Sequence, residues 1–227
     1  MNTKEIKEIV AEYNKYDLCT LPANKEEKRP KGYGWKQFQN RKPDCNDIDS
    51  ILLKNRSSLN AVCILTGDPS GNLEVLDFDE KGKAFQPWKA EVGLVYPGLV
   101  DSLVLQRTQS GGYHVLFRCD EFGGNQKLAL NKENKVLIET RGEGGLIMAA
   151  PSEGYSFING ELSDITTITS EQRSCLMMIA KMMNEKIKPK DVIGHCGCES
   201  QDLRPGDIYN KNMSCHDLVV LLTEFGW

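Results

Sequence analysis

The sequence predicts an α/β or α+β domain of short strands, extended by a helical tail. Three observations carry this expectation. Apolar runs of strand length alternate with tight turn signals between residues 55 and 151, an amphipathic helical pattern precedes them, and a methionine-rich helical pattern follows after Ile165.

In chain order, residues 4–16 place Ile6, Ile9, Val10 and Tyr13 at helical spacing, and LCTLPA (18–23) then has the character of a strand. The segment from Asn24 to Trp35 mixes a proline, two glycines and charges and is expected to be an ordered loop. A short helix over 47–54 leads into the buried strand AVCILTG (61–67), the turn DPSGN and the strand LEVLDFD (73–79); a hairpin is the natural joining of these two strands. Residues 81–101 are expected to form a helix and then a loop. The strands SLVLQRT (102–108) and YHVLFRC (113–119) flank an SGG turn as a second hairpin. Gln126 to Lys135 is charged and asparagine-containing, which suggests a surface excursion before VLIET, the RGEGG turn and LIMAAP. Residues 170–187 present an apolar, methionine-rich face with Glu171 in the favourable first turn of a helix, and LVVLLTEF near Trp227 predicts another. That last helix needs a surface, supplied either by a longer protein or by the tail folding back on itself.

With 227 residues, 40% hydrophobic and 26% charged, the chain is long enough to bury a full core. No stretch approaches the roughly 18 uncharged apolar residues that cross a bilayer, so a soluble protein with no membrane partner is expected. MNTKEIKEIV lacks the apolar core of a secretory signal, and the eight cysteines are irregularly spaced; both point to a reducing, cytoplasmic setting. A net charge of −4 argues against a protein that coats nucleic acid non-specifically, since such binding rests on phosphate neutralisation. A local basic track exists nonetheless. Lys25, Lys28, Arg29, Lys31, Lys36, Arg41 and Lys42 are interleaved with Tyr33, Trp35 and Phe38, a composition that suits phosphates and stacked bases as well as a solvated loop anchored by Trp35.

The candidate chemistry lies between Asp77 and Arg141. Alternation puts Asp77 and Asp79 on one face at the end of an apolar strand, with backbone positions roughly 6–7 Å apart. Their oxygens suit Mg²⁺ or Mn²⁺, and two such ions serve phosphoryl chemistry; a solvated strand end is the competing reading. Glu139 arrives at the end of a second strand with Arg141 on the same face. A carboxylate beside an arginine suits a metal–phosphate complex, whereas a plain ion pair between the two needs no ligand. In TQSGGYHVLF, Gly111 and Gly112 permit a tight turn or a close backbone approach, Ser110 offers a hydroxyl, and His114 emerges on the following strand, as a triphosphate donor or as a structural histidine. No glycine-rich piece ends in GK followed by Ser or Thr, and neither HExxH nor EF-hand spacing occurs.

Taken together and in order, GYGWK (32–36), LTGDPSGNLEVLDFD (65–79), TQSGGYHVLF (108–117) and LIETRGEGGLIMAAPS (137–152) resemble the bifunctional DNA primase/polymerase domain of the archaeo-eukaryotic primase superfamily, over about residues 15–165. The resemblance implies an α+β fold, with an RRM-like catalytic sheet packed with a smaller α/β unit, and two-metal nucleotidyl transfer. It implies that Asp77, Asp79 and Glu139 are metal ligands, with glutamate where many relatives have aspartate, and that His114 contacts phosphate with support from Ser110, Gly111, Gly112 and Arg141. Lys31 and Lys36 resemble residues near the nucleotide or template path. The implied partners are nucleoside triphosphates and a single-stranded or primed DNA template. An inactive nucleic-acid-binding replication module and a metal-dependent nuclease are the alternatives.

The domain organisation expected is a catalytic domain over 1–165 and a helical tail or connector over 166–227. DLRPGDIYN (202–210) and SCHDLVVLLTEFGW (214–227) look like the connector after such domains in phage or plasmid replication proteins, leading to a helical or helicase module. His195, Cys196, Cys198, Cys215 and His216 have the side chains of zinc ligands, but their irregular spacing favours ordinary thiols and solvent-facing histidines.

Overall fold

Two antiparallel sheets and four α-helices organise residues 1–186, the part of the chain that the computed structural model describes. The first sheet has the order β1 (Cys19–Ala23), β2 (Ala61–Leu65), β8 (Leu146–Met148). Every position of β1 and β2 is buried, so side chains on both faces of these strands are covered. Part of that cover is α1 (Thr3–Asn14), which buries Ile6 and Val10, and α2 (Cys45–Asn55), which buries Ile48, Ile51 and Leu52. Both helices start at capping boxes, Asn2 with Glu5 and Asp44 with Asp47, which satisfy backbone N–H groups that a helix otherwise leaves open.

The second sheet has the order β6 (Lys127–Leu130), β7 (Val136–Arg141), β3 (Leu73–Phe78), β5 (Tyr113–Arg118), β4 (Val104–Arg107), β9 (Ser156–Asn159). Its alternating side chains feed two cores. Leu73, Val75, Val104 and Leu116 join the core that also holds α1, α2 and the first sheet. Leu76, Phe78, Leu105, Val115 and Phe117 point the other way, into a core closed by α3 (Phe85–Val95) and α4 (Ser170–Met182). These helices are joined where the buried Trp88 indole N–H donates to the Leu176 carbonyl at 3.1 Å.

The α+β expectation is met, and the hairpin expected at 102–119 is the β4–β5 pair. The other expected hairpin does not form. β2 has β1 and β8 on its two edges, β3 has β7 and β5 on its own, and the DPSGN turn carries the chain from one sheet to the other. Gln126 to Lys135 is not wholly an excursion, because it contains β6, and β9 adds a strand that the sequence pattern did not reveal. The helix expected over 170–187 spans Ser170–Met182 and buries Cys175 through Ala180. Its Arg173 is paired with the fully buried Glu74 of β3, Nε to Oε2 at 2.5 Å and Nη2 to Oε1 at 2.8 Å. The helix expected near the C-terminus and the residues considered for zinc lie outside the described residues. No helix among the described residues is long and apolar enough to cross a membrane.

Candidate active site

Strand register builds the site as a row across the second sheet. Gln106 of β4 stands opposite His114 of β5, His114 opposite Asp77 of β3, and Asp77 opposite Glu139 of β7. Directly opposed residues of antiparallel strands project to the same face, so four polar side chains from four strands converge. The row continues the face that, one step further along β3, buries Val75 and Leu73. Asp79 lies just past the strand, held by its backbone N–H to the Leu137 carbonyl at 3.0 Å, and returns a second carboxylate to this face.

Asp77, Asp79 and Glu139 each offer an oxygen, all within 4.8 Å of one another. Arg141, two residues after Glu139 on β7, ion-pairs with Glu139 and brings its Nε to 3.6 Å from Asp77 Oδ2. Burial raises the pKa of all three carboxyls; the charge of Asp77 raises that of Asp79 further, and Arg141 opposes the rise at Asp77 and Glu139. Arg141 and Lys28 together face three partly buried carboxylates, which leaves negative charge uncompensated. A hard divalent cation fits such an all-oxygen set.

His114 is 5% exposed and points Nε2 at Asp77 Oδ1, 3.5 Å away. Burial first, and the charge of Arg141 next, lower its pKa to about 3, so the ring is neutral at physiological pH. The turn that delivers it depends on glycine. Gly111 has φ +84, and a Cβ on Gly112 would sit 2.1 Å from the Phe78 carbonyl oxygen, so strand β3 and the turn approach as closely as they do only without a side chain there. Thr108 Oγ1 accepts from the Gly112 N–H at 3.0 Å and lies 3.2 Å from Ser110 Oγ, which closes the turn.

A cavity of about 150 Å³ opens over the row, lined by Asp77, Asp79 and His114, by Ser110 and Thr108 of the turn, by Arg141 and Lys28, and on one side by Leu146–Met148 and Tyr155. A family model described as bifunctional DNA primase/polymerase, N-terminal, matches residues 11–170, most of the chain. The chain belongs to this family. No curated protein gives a significant match.

Within this primase/polymerase domain the structure gathers Asp77, Asp79, His114, Glu139, Arg141 and Ser110 into one place, with Gly111 and Gly112 forming the turn beside them. Lys31 and Lys36 are exposed and do not line the cavity; Lys31 is ion-paired with Glu27, and Lys36 lies on a short 3-10 turn. The lysine that lines it is Lys28, from the same basic loop. Thr108, Tyr155 and Gln106 were also not singled out from the sequence. Gln106 had a signal: a lone amide inside the apolar run VLQ, at a position whose alternation with Val104 aims it at the core. Tyr155, raised to about 12 by burial and the charge of Asp77, follows a proline- and glycine-containing stretch with no periodicity to place it.

Proposed function

We propose that this domain is a template-dependent nucleotidyltransferase, a DNA primase/polymerase that joins nucleotides with release of pyrophosphate. The observation that carries the reading is the convergence of Asp77, Asp79 and Glu139 with His114 on one sheet face, beside a glycine turn and two cationic side chains. Mg²⁺ or Mn²⁺ held by the three carboxylates would supply charge neutralisation at the reacting phosphate and lower the pKa of the attacking hydroxyl. His114 presents one ring nitrogen to the triphosphate, Ser110 adds a hydroxyl, and Arg141 and Lys28 offset phosphate charge. The Gly111–Gly112 backbone lets the triphosphate approach the turn closely. Base pairing with a single-stranded or primed template selects the nucleotide, and Lys31 and Lys36, outside the cavity, are assigned to the template side.

In this reading the six-stranded sheet is the RRM-like catalytic sheet, and the first sheet with α1 and α2 is the smaller unit. The catalytic unit spans 1–165, with α4 docked upon it, and the remainder of 166–227 connects to a downstream helical or helicase module of a phage or plasmid replication protein. Among the described residues, the free cysteines Cys19, Cys45, Cys63 and Cys119 suit a reducing cytoplasm.

Separable defects test the assignment of roles. His114→Ala is expected to keep Mn²⁺ binding and to lose nucleotide binding, whereas Asp79→Asn is expected to lose Mn²⁺ binding first. Calorimetric titration of each folded variant with Mn²⁺, and separately with nucleotide, reads both. Equal loss of both ligands in both variants, or unchanged nucleotide affinity in His114→Ala, would overturn the division of labour.

A further inference from the structure

Gln106 is 1% exposed and reaches from β4 to the segment that follows β8 in the other sheet. Its Nε2 donates to the Met148 carbonyl at 2.9 Å, and its Oε1 accepts from the Ala150 N–H at 2.6 Å. These two backbone groups have opposite character, so the amide has a single satisfied orientation. Turned over, it would set oxygen against a carbonyl and NH₂ against an N–H, leaving both backbone groups buried without partners.

The nitrogen fixed in this way lies 2.8 Å from His114 Nδ1. An amide nitrogen has hydrogens and no accepting lone pair, so Nδ1 must be the acceptor and carries no proton. A neutral imidazole has one N–H, which then sits on Nε2, the nitrogen directed toward Asp77 and the cavity.

We infer that Gln106 is a positioning residue that holds His114 in its Nε2–H tautomer, so that the ring presents a hydrogen-bond donor to the nucleotide phosphates. The tautomer rests on these hydrogen bonds; the value of a donor at Nε2 rests on the function proposed above. With the other tautomer, a nitrogen lone pair would face phosphate oxygens and repel them. The orienting groups on Gln106 are main-chain atoms of Met148 and Ala150, so the first sheet sets the chemistry of a side chain on the second.

Imidazole nitrogen NMR tests this on the intact chain labelled with ¹⁵N-histidine, with the His114 signals identified by their loss in His114→Ala. Wild type is expected to show the two-bond ¹H–¹⁵N pattern of the Nε2–H form; an Nδ1–H pattern would overturn the inference with no variant needed. Gln106→Met keeps the side chain's length without the donor and is expected to show mixed tautomers. Its affinity for ATP and dATP is expected to fall about tenfold, the scale of one hydrogen bond to a charged group, with Mn²⁺ affinity unchanged. Gln106→Glu retains an acceptor for Ala150 but places a second one at Nδ1, and is expected to move the pattern toward Nδ1–H. Unchanged tautomer and nucleotide affinity in both variants would overturn the role of Gln106. A wild-type protein with the Nε2–H pattern that binds neither nucleotide would overturn the proposed function and leave the tautomer assignment standing.

Discussion

Asp77→Asn is expected to make the metal-free protein more stable and to abolish the further stability that a divalent cation confers. The carboxylate oxygens of Asp77, Asp79 and Glu139 lie within 4.8 Å of one another. At an effective dielectric of about 20, two unit charges at that separation repel by about 3.5 kcal/mol. Asp77 takes part in two such repulsions and in one ion pair, to Arg141 at 3.6 Å, worth about 4.6 kcal/mol on the same scale, while Lys28 adds a smaller attraction. Removing its charge therefore favours the folded variant by roughly 2 kcal/mol, and relief from burying a carboxylate adds to this. At about 2–4 °C per kcal/mol for a chain of this size, Tm in chelator at pH 7 should rise by roughly 4–8 °C. Because burial raises the pKa of Asp77, folding favours its protonated form. That contribution is fully present below the ordinary carboxylate pKa and is lost as pH rises through the raised value, so the gap between variant and wild type should close on acidification. Mn²⁺ at a hundred times its Kd stabilises wild type by about 2.7 kcal/mol and should leave the variant unchanged, narrowing the difference between the two melting curves by that amount. A variant less stable than wild type in chelator would show that Asp77 is not destabilising without metal, and an equal Mn²⁺ response in both would show that it is not a metal ligand.

Three further outcomes are expected. Arg173→Met strands the carboxylate of Glu74, which is 0% exposed, and should cost about 3–5 kcal/mol by denaturant titration, largely recovered in the Glu74→Leu/Arg173→Met double variant; a loss under 1 kcal/mol would mean that α4 is only loosely attached. Gly112→Ala drives a Cβ to 2.1 Å from the Phe78 carbonyl and should destabilise by about 3 kcal/mol, against about 1 kcal/mol for Gly111→Ala, where positive φ alone is strained; the reverse ranking would contradict the close approach of turn and strand. Lys28→Ala should weaken nucleotide binding about tenfold with Mn²⁺ binding intact, whereas Lys31→Ala should leave both within about twofold, as calorimetry would show. A larger effect at Lys31 would return that residue to the cavity.

Local pattern made much of the site legible. Alternation alone placed Asp77 with Asp79 and Glu139 with Arg141, and the glycine pair marked the turn before His114. Which strands lie side by side is a long-range property, and there the sequence was ambiguous. AVCILTG and LEVLDFD have a good turn between them, yet they join different sheets because each finds partners on both edges elsewhere. β6 was hidden because its four residues, KLAL, sit in a charged neighbourhood whose average reads as loop. Among the seven cations of residues 25–42, nothing local separates Lys28 from Lys31; the fold distinguishes them by turning one toward the carboxylates and giving the other Glu27 as partner. Gln106 is hidden for a similar reason. Its partners, Met148 and Ala150, lie some forty residues away, at and just beyond a strand of the other sheet.

In the proposed function, Asp77, Asp79, Glu139 and His114 together serve template-dependent nucleotidyl transfer. Its most direct test is incorporation of labelled nucleotide on a defined DNA template, with and without primer, in Mg²⁺, in Mn²⁺ and in chelator, for wild type and Asp79→Asn. Products whose sequence follows the template are expected, with dependence on divalent cation and at least a hundredfold lower rate for the variant, the scale of losing a charged group from an electrostatically organised site. Incorporation that ignores the template or survives in Asp79→Asn, or degradation of the DNA with no incorporation, would contradict it.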